Sequence, residues 1–378
     1  MRIEFNASVG PSLGIEWELE LVDRETGELT SRATEILGAL AEPYGGEHPK
    51  AKHELFESCI EVITGICTRV DEAMADLQRT IDEVRTVASP LGVDLISSGT
   101  HPTTDWTAQI VSPTPRYALL IEKMQWTARR LQIFGVHVHV GVQSADKVMP
   151  IVNALSAYVP HFLALSASSP YWIGVDTGLA SSRSKVFEGL PTAGLPYQLA
   201  NWGEFEAFMG TLVESHTIAS IKEVWWDIRP HPEFGTVELR ICDGLPTLAE
   251  VGMVAALSQC LVEQFDGQLN RGYTLPLPHE WIVRENKWRA ARYGLDADVI
   301  TDDLGNTASL RGQIADLVAE LAPIAHRLGC SEQLATVDLV LAKGSSSSRQ
   351  RGVASAHDGS LRAVVASLVD EFAAGVPA

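Results

Sequence analysis

The sequence predicts an α+β fold in which helices pack against one face of a mainly antiparallel sheet. Segments with strand-like alternation cluster in the first two thirds of the chain, longer stretches with helical spacing lie between them, and past Leu245 the pattern is nearly all helical. The chain has 378 residues, 46% of them hydrophobic and 20% charged, enough to bury a full core. With no internal repeat and no long Pro, Gly or Ser linker, residues 1–378 are expected to form one unit.

Period-two alternation is clearest at Gly14–Val22, Ile60–Thr64, Val93–Ser98, Ile133–Val142, Val224–Arg229 and Thr236–Cys242. Val70, Ala73, Met74, Leu77, Ile81 and Val84 form one helical stripe, and Val254, Leu257, Leu261 and Phe265 form another. The run Gly344–Arg351 is the one low-complexity patch; it reads as a flexible loop, with Arg349 and Arg351 available to fold over an anion.

Composition narrows the function classes. Lys and Arg total 29 against 48 Asp and Glu, a formal net charge of -19, which disfavours nucleic acid as a partner because phosphate binding needs clustered cations. A phosphate-ester substrate would need bound divalent cations instead. The five cysteines are scattered without a CxxC pair and read as reduced core thiols. The N-terminus lacks a signal peptide's apolar stretch and no window offers a membrane span, so a cytoplasmic protein without membrane partners is expected.

The chemistry is carried by carboxylates on strand faces. In Gly14–Val22, alternation sets Ile15, Trp17, Leu19 and Leu21 on one face and Glu16, Glu18 and Glu20 on the other. Like charges this close repel, so that face should meet water or a cation. Within His53–Thr64, a strand reading pairs Glu57 with Glu61 and turns Glu54 away, whereas a helix would align all three; the β-branched residues Ile60, Val62, Ile63 and Thr64 favour the strand and keep Glu54 in reserve. Phe134–Val142 projects His137 and His139 from one face, and Thr236–Cys242 projects Glu238 and Arg240. A hairpin through Pro230–Gly235 would bring Asp227 and Arg229 to that same side, unless they form a salt-bridge ladder. Carboxylates with one imidazole suit Mg²⁺ or Mn²⁺ rather than zinc. No Walker A loop or GxGxxG is present, so a nucleotide would be held through metals and arginines, with Arg240 and Arg229 stabilising charge on a transferred phosphoryl group.

These residues resemble the glutamate–cysteine ligase family 2, ATP-dependent carboxylate–amine ligases related to glutamine synthetase. The resemblance runs through GIEWE, the Glu57/Glu61 segment, GTHP at Gly99–Pro102, FGVHVHVGV, SASSPYW, the stretch Asp176–Glu188 and WWDIRPHPEFGTVELR, and more weakly through Trp288–Ala297 and Arg349–Arg351. It implies a funnel on a twisted antiparallel sheet, with ATP entering one end and an amino acid bound at the other. Glu16, His137 and Glu238 would hold one metal, and Glu18, Glu57 and Glu61 another. Arg240 would steady the γ-phosphoryl group, and His139, Arg183 and Lys185 are further candidates for substrate or phosphate contact. Glu20 would be solvated or support the site indirectly, since the family pattern stops at Glu18.

The implied reaction activates a carboxylate, by analogy the γ-carboxylate of glutamate, as an acyl phosphate at the expense of ATP; an amine such as that of cysteine, or another amine, then displaces phosphate. The expected partners are small amino-acid and amine substrates and other copies of the chain in a homo-oligomer. Two rival readings are an amidohydrolase-type metal hydrolase, which also uses an H-x-H strand, and a non-catalytic nucleotide or amino-acid sensor.

Overall fold

A computed structural model describes residues 1–378. The central strand β1 (Leu13–Asp23) pairs with β3 (Cys59–Ile63), β4 (Val93–Ile96) and β5 (Val136–Gly141). The short β2 (Ala51–His53) extends the sheet beyond β3. A separate small hairpin of β6 (Tyr171–Trp172) and β7 (Val175–Asp176) precedes β8 (Ile228–His231) and β9 (Thr236–Leu239). The sheet order is β2-β3-β1-β5-β9-β8, with β4 beside β1, and every pairing is antiparallel.

The alternation in β1 sorts the sheet's two faces. Ile15, Trp17, Leu19 and Leu21 are buried on the helical side, Trp17 at 1% exposure, while Glu16 and Glu18 stay partly accessible opposite them. The helix Val70–Ala88 buries Val70, Ala73, Leu77, Ile81 and Val84, as its stripe predicts. Helix Leu248–Asn270 is buried on nearly all sides, because it packs against β5 and against the helices Val70–Ala88, Ala145–Ser156, Leu310–Leu328 and Ser331–Lys343. One apolar core reaches from Ile3 to Phe372. All five cysteines are buried and free. No single helix is long and apolar enough to cross a membrane.

Past Leu245 the chain is helical apart from the hairpin β10 (Asp298–Ile300) and β11 (Thr307–Ser309). Two expectations shift. Val224–Arg229 alternates, yet the strand is Ile228–His231; Pro230 fits because β8 is an edge strand, where a missing N–H need not cost a ladder bond. The segment read as a flexible loop, Gly344–Arg351, instead enters the helix Ser346–Ala356. Ser345, Ser346 and Ser347 are buried; Ser347 N–H donates to the Ala167 carbonyl and Gln350 Nε2 to that of Ser168. Tertiary hydrogen bonds thus order a run whose local composition favours a loop.

Candidate active site

The register of the sheet assembles a cleft of about 430 Å³ on its polar face. Glu18 lies directly across from Glu61, Glu16 from His137, His139 from Glu238, and Glu238 from Arg229. Five separate strands therefore place their acids, imidazoles and a guanidinium on adjoining positions. Ligand atoms of Glu16, His137 and Glu238 all lie within 4.8 Å of one another, and so do those of Glu18, Glu61 and His137. His137 belongs to both groups, its Nδ1 3.0 Å from Glu16 Oε2.

The two groups differ in charge compensation. Burial raises the cost of ionising Glu16, yet hydrogen bonds from His137 and His139 hold it well below the usual carboxylate range. Glu238 is fully buried, and Arg229 and Arg240 hold it well below the usual carboxylate range too. Arg229 donates from Nε to Glu238 Oε2 at 2.9 Å and anchors its other end on the carbonyls of Lys222 and Val224; Arg240 Nη1 donates to Glu238 Oε1. Burial, reinforced by Arg240, pushes His137 down to about 4, so it is neutral at pH 7 with a lone pair to offer. His139 goes the other way: despite burial, Glu238 and Glu16 raise it, with Nε2 3.3 Å from Glu16 Oε1 and Nδ1 3.0 Å from Thr236 Oγ1.

In the second group, burial and the neighbouring Glu54 push Glu18 up to about 8. Burial and the charges of Glu16, Glu54 and Glu18 raise Glu61 as well, and burial raises Glu54. Three crowded, half-buried carboxylates without an ion pair of their own are costly to ionise unless protons or a metal compensate them. Oxygen donors sharing one neutral imidazole match the preferences of Mg²⁺ or Mn²⁺, so the residues fit such an ion.

Several expected site residues lie elsewhere. Glu57 does not join Glu61: its carboxylate accepts from Thr34 N at 3.0 Å and from Thr34 Oγ1 at 2.6 Å, at the start of the helix Ala33–Ala41. Glu54 lines the cleft instead. Strand parity counted back from β3 misleads because the strand begins at Cys59 and the chain turns between His53 and Cys59, where alternation carries no information. Glu20 is not solvated. It is fully buried, accepts from Ser98 N and Oγ, and burial pushes it up to about 8.

Arg349 forms buried ion pairs with Glu250 and Glu371, and Arg351 pairs with Asp176, so neither faces the cleft. Lys185 pairs with Glu188 and lines a second cavity of about 490 Å³. Asp227 pairs with Lys287 at 2.6 Å instead of facing Glu238, and Lys287 also pairs with Glu188 at 2.6 Å. Arg183 does line the cleft, its guanidinium donating to the carbonyls of Arg240 and Ile241. The sequence reading held Glu54 only in reserve and missed Arg116, Tyr117, Trp225 and Phe234 as cleft residues; they come from connections and from the helix Pro115–Met124, which no strand alternation marks.

An antiparallel sheet whose polar face carries two carboxylate–imidazole groups flanked by arginines belongs with the ATP-dependent carboxylate–amine ligases of glutamine synthetase-like fold. The family described as Glutamate-cysteine ligase family 2 matches residues 12–367, and this chain is a member of it. A Frankia alni relative named "Putative glutamate--cysteine ligase 2-1" is 60% identical over 378 residues, covering 100% of this chain and 99% of its own. A Thermobifida fusca relative named "Putative glutamate--cysteine ligase 2" is 58% identical over 379 residues, covering 100% and 95%. Among solved structures, a glutamate–cysteine ligase from Francisella tularensis in complex with AMP shares the fold with a TM-score of 0.68 at 13% identity, over 98% of this chain and 94% of that one. Membership displaces the amidohydrolase reading, and each ligand group offers only one imidazole, where that chemistry asks for more.

Proposed function

We propose that residues 1–378 act as one glutamate–cysteine ligase-like enzyme, which uses ATP and a divalent cation, Mg²⁺ or Mn²⁺, to join the γ-carboxylate of glutamate to the amine of cysteine or another amine. The observation that carries this reading is the pair of ligand groups meeting at His137, with Arg229 and Arg240 against one of them. Glu16, His137 and Glu238 would hold one cation, and Glu18, Glu61 and Glu54 another, Glu54 replacing Glu57 in the set. When bound, such cations offset the repulsion between an anionic acid and anionic phosphates.

The chain's own residues do the remaining work. A neutral His137 presents a lone pair where a protonated ring would repel cations. Arg229, braced on backbone carbonyls, keeps Glu238 ionised and oriented. Arg240 lies beside Glu238 and His137, where its remaining N–H groups stabilise charge on a phosphoryl group in transfer. Carboxylate attack on the γ-phosphorus yields an acyl phosphate and ADP; the amine then displaces phosphate, loses a proton and leaves an amide. Free carboxylate is a poor electrophile, and phosphorylation supplies the leaving group.

The test is ADP release with Mg²⁺, glutamate and a panel of amines. Dependence on both acid and amine is expected. Retained ATP binding without turnover under every combination would identify a nucleotide sensor instead.

A further inference from the structure

The lip of the cleft carries an aromatic surface that none of the assigned roles uses. Phe234, at the tip of the β8–β9 hairpin, is 55% exposed although its ring stacks on that of His231, with centroids 4.1 Å apart and planes inclined by 13°. Both rings line the same cleft as Glu16, His137 and Arg240. His139 stands edge-on to both, at 5.3 Å from His231 and 5.7 Å from Phe234, and its Nε2 is 3.3 Å from Glu16 Oε1. The stack is thus one side chain away from the Glu16–His137–Glu238 group.

The hairpin tip is held in place. Asn6 N–H donates to the Pro232 carbonyl, Asn6 Nδ2 to that of Glu233, and Ser8 Oγ to that of Gly235. From the other side, Val142 N–H also donates to the Gly235 carbonyl. Gly235 has φ +66°, and a Cβ there would lie 1.7 Å from the Asn6 carbonyl oxygen, so the close strap of the N-terminal segment depends on glycine. A ring with one face packed and much of its surface open, on a braced turn, is a preformed platform for a flat ligand. Neither glutamate nor cysteine has a flat ring system; among ATP, glutamate and cysteine, only the nucleotide does.

We propose that Phe234, backed by His231, is the stacking platform for the nucleobase of ATP, so that the nucleotide enters over the β8–β9 turn with its phosphates toward Glu16 and Glu238. The inference rests on the ligase reading for its substrate. Base–aromatic stacking is commonly worth about tenfold or more in binding. Equilibrium binding of ATP with Mg²⁺, followed by calorimetry, should therefore weaken about tenfold in Phe234→Ala and clearly in Phe234→Leu, which keeps apolar bulk without the π-face, while Phe234→Trp restores it. In steady state, the loss should fall on KM for ATP and leave KM for glutamate and for the amine unmoved.

Wild-type affinity for ATP in Phe234→Ala, a rise in KM for the amine instead, or binding lost on Trp225→Ala alone would overturn the platform while leaving the ligase intact. A wild-type chain that neither binds nor consumes ATP would overturn the reading beneath it. Phe234 is exposed and outside the apolar core, so its variants are expected to fold, and unfolding midpoints would verify this.

Discussion

The two ligand groups of the cleft share His137 and lie side by side, yet they solve the problem of buried negative charge in opposite ways. Glu16 and Glu238 are stabilised as carboxylates by the chain itself, through His137, His139, Arg229 and Arg240, and both stay ionised below neutral pH. Glu18, Glu54 and Glu61 form no ion pair, and burial with the charge of neighbouring carboxylates raises all three despite arginines nearby. The first group is part of the scaffold's electrostatics as well as its chemistry. The second is left under-compensated by the chain's own cations.

That contrast makes its largest prediction at Glu238. Glu238→Gln removes the partner of two buried guanidinium groups, so it should both abolish ADP formation and destabilise the fold by about 3–5 kcal/mol, the usual cost of breaking a buried ion pair. Glu61→Gln should abolish ADP formation equally but leave the metal-free fold unchanged or stabilised by about 1 kcal/mol, because it removes a buried like charge. Urea titration of both variants without divalent ions reads the difference, and equal destabilisation would erase the distinction between the groups.

Divalent ions sharpen the comparison further. Mg²⁺ or Mn²⁺ at a hundred times its dissociation constant should stabilise the wild type by about 2.7 kcal/mol, and chelation should reverse both that gain and ADP formation. The gain should be smaller in Glu54→Gln and Glu61→Gln. A thermal midpoint indifferent to these ions in the wild type would count against cation binding.

A more modest effect separates Glu54 from Glu57. Glu54→Ala should lower kcat/KM with little change in stability. Glu57→Ala should cost about 1 kcal/mol, by releasing the start of the helix Ala33–Ala41, and leave the kinetics of the folded enzyme near wild type. The reverse pattern would restore the assignment drawn from strand parity.

A pH-dependent effect distinguishes titration of the scaffold from titration of the cleft. Burial pushes His101 and His161 down to about 4. Between that value and the ordinary 6.5, the unfolded chain binds more protons than the folded one. Their contribution is therefore fully present above pH 6.5 and falls as the solution is acidified toward pH 4, by up to about 1.4 kcal/mol per pH unit for each group. His161→Phe should flatten this slope in denaturation curves without changing ADP formation at pH 7.5 (roughly one unit above the ordinary histidine value).

Alternation along β1, β5 and β9 was legible in the residues alone: it sorted Glu16 and Glu18, His137 and His139, and Glu238 onto faces opposite the apolar core, because side-chain parity is a local property of an extended chain. The helical stripe of Val70–Ala88 was legible for the same reason. Parity is lost across a turn, so only the folded chain chose Glu54 over Glu57, and only long-range hydrogen bonds made a helix of the serine run and drew Arg349 to Glu250 and Glu371. Which strands become neighbours, and in what register, decides whether a carboxylate meets a guanidinium or another carboxylate. That outcome gave the two ligand groups their opposite charge balance, and it depends on contacts between residues far apart in the chain.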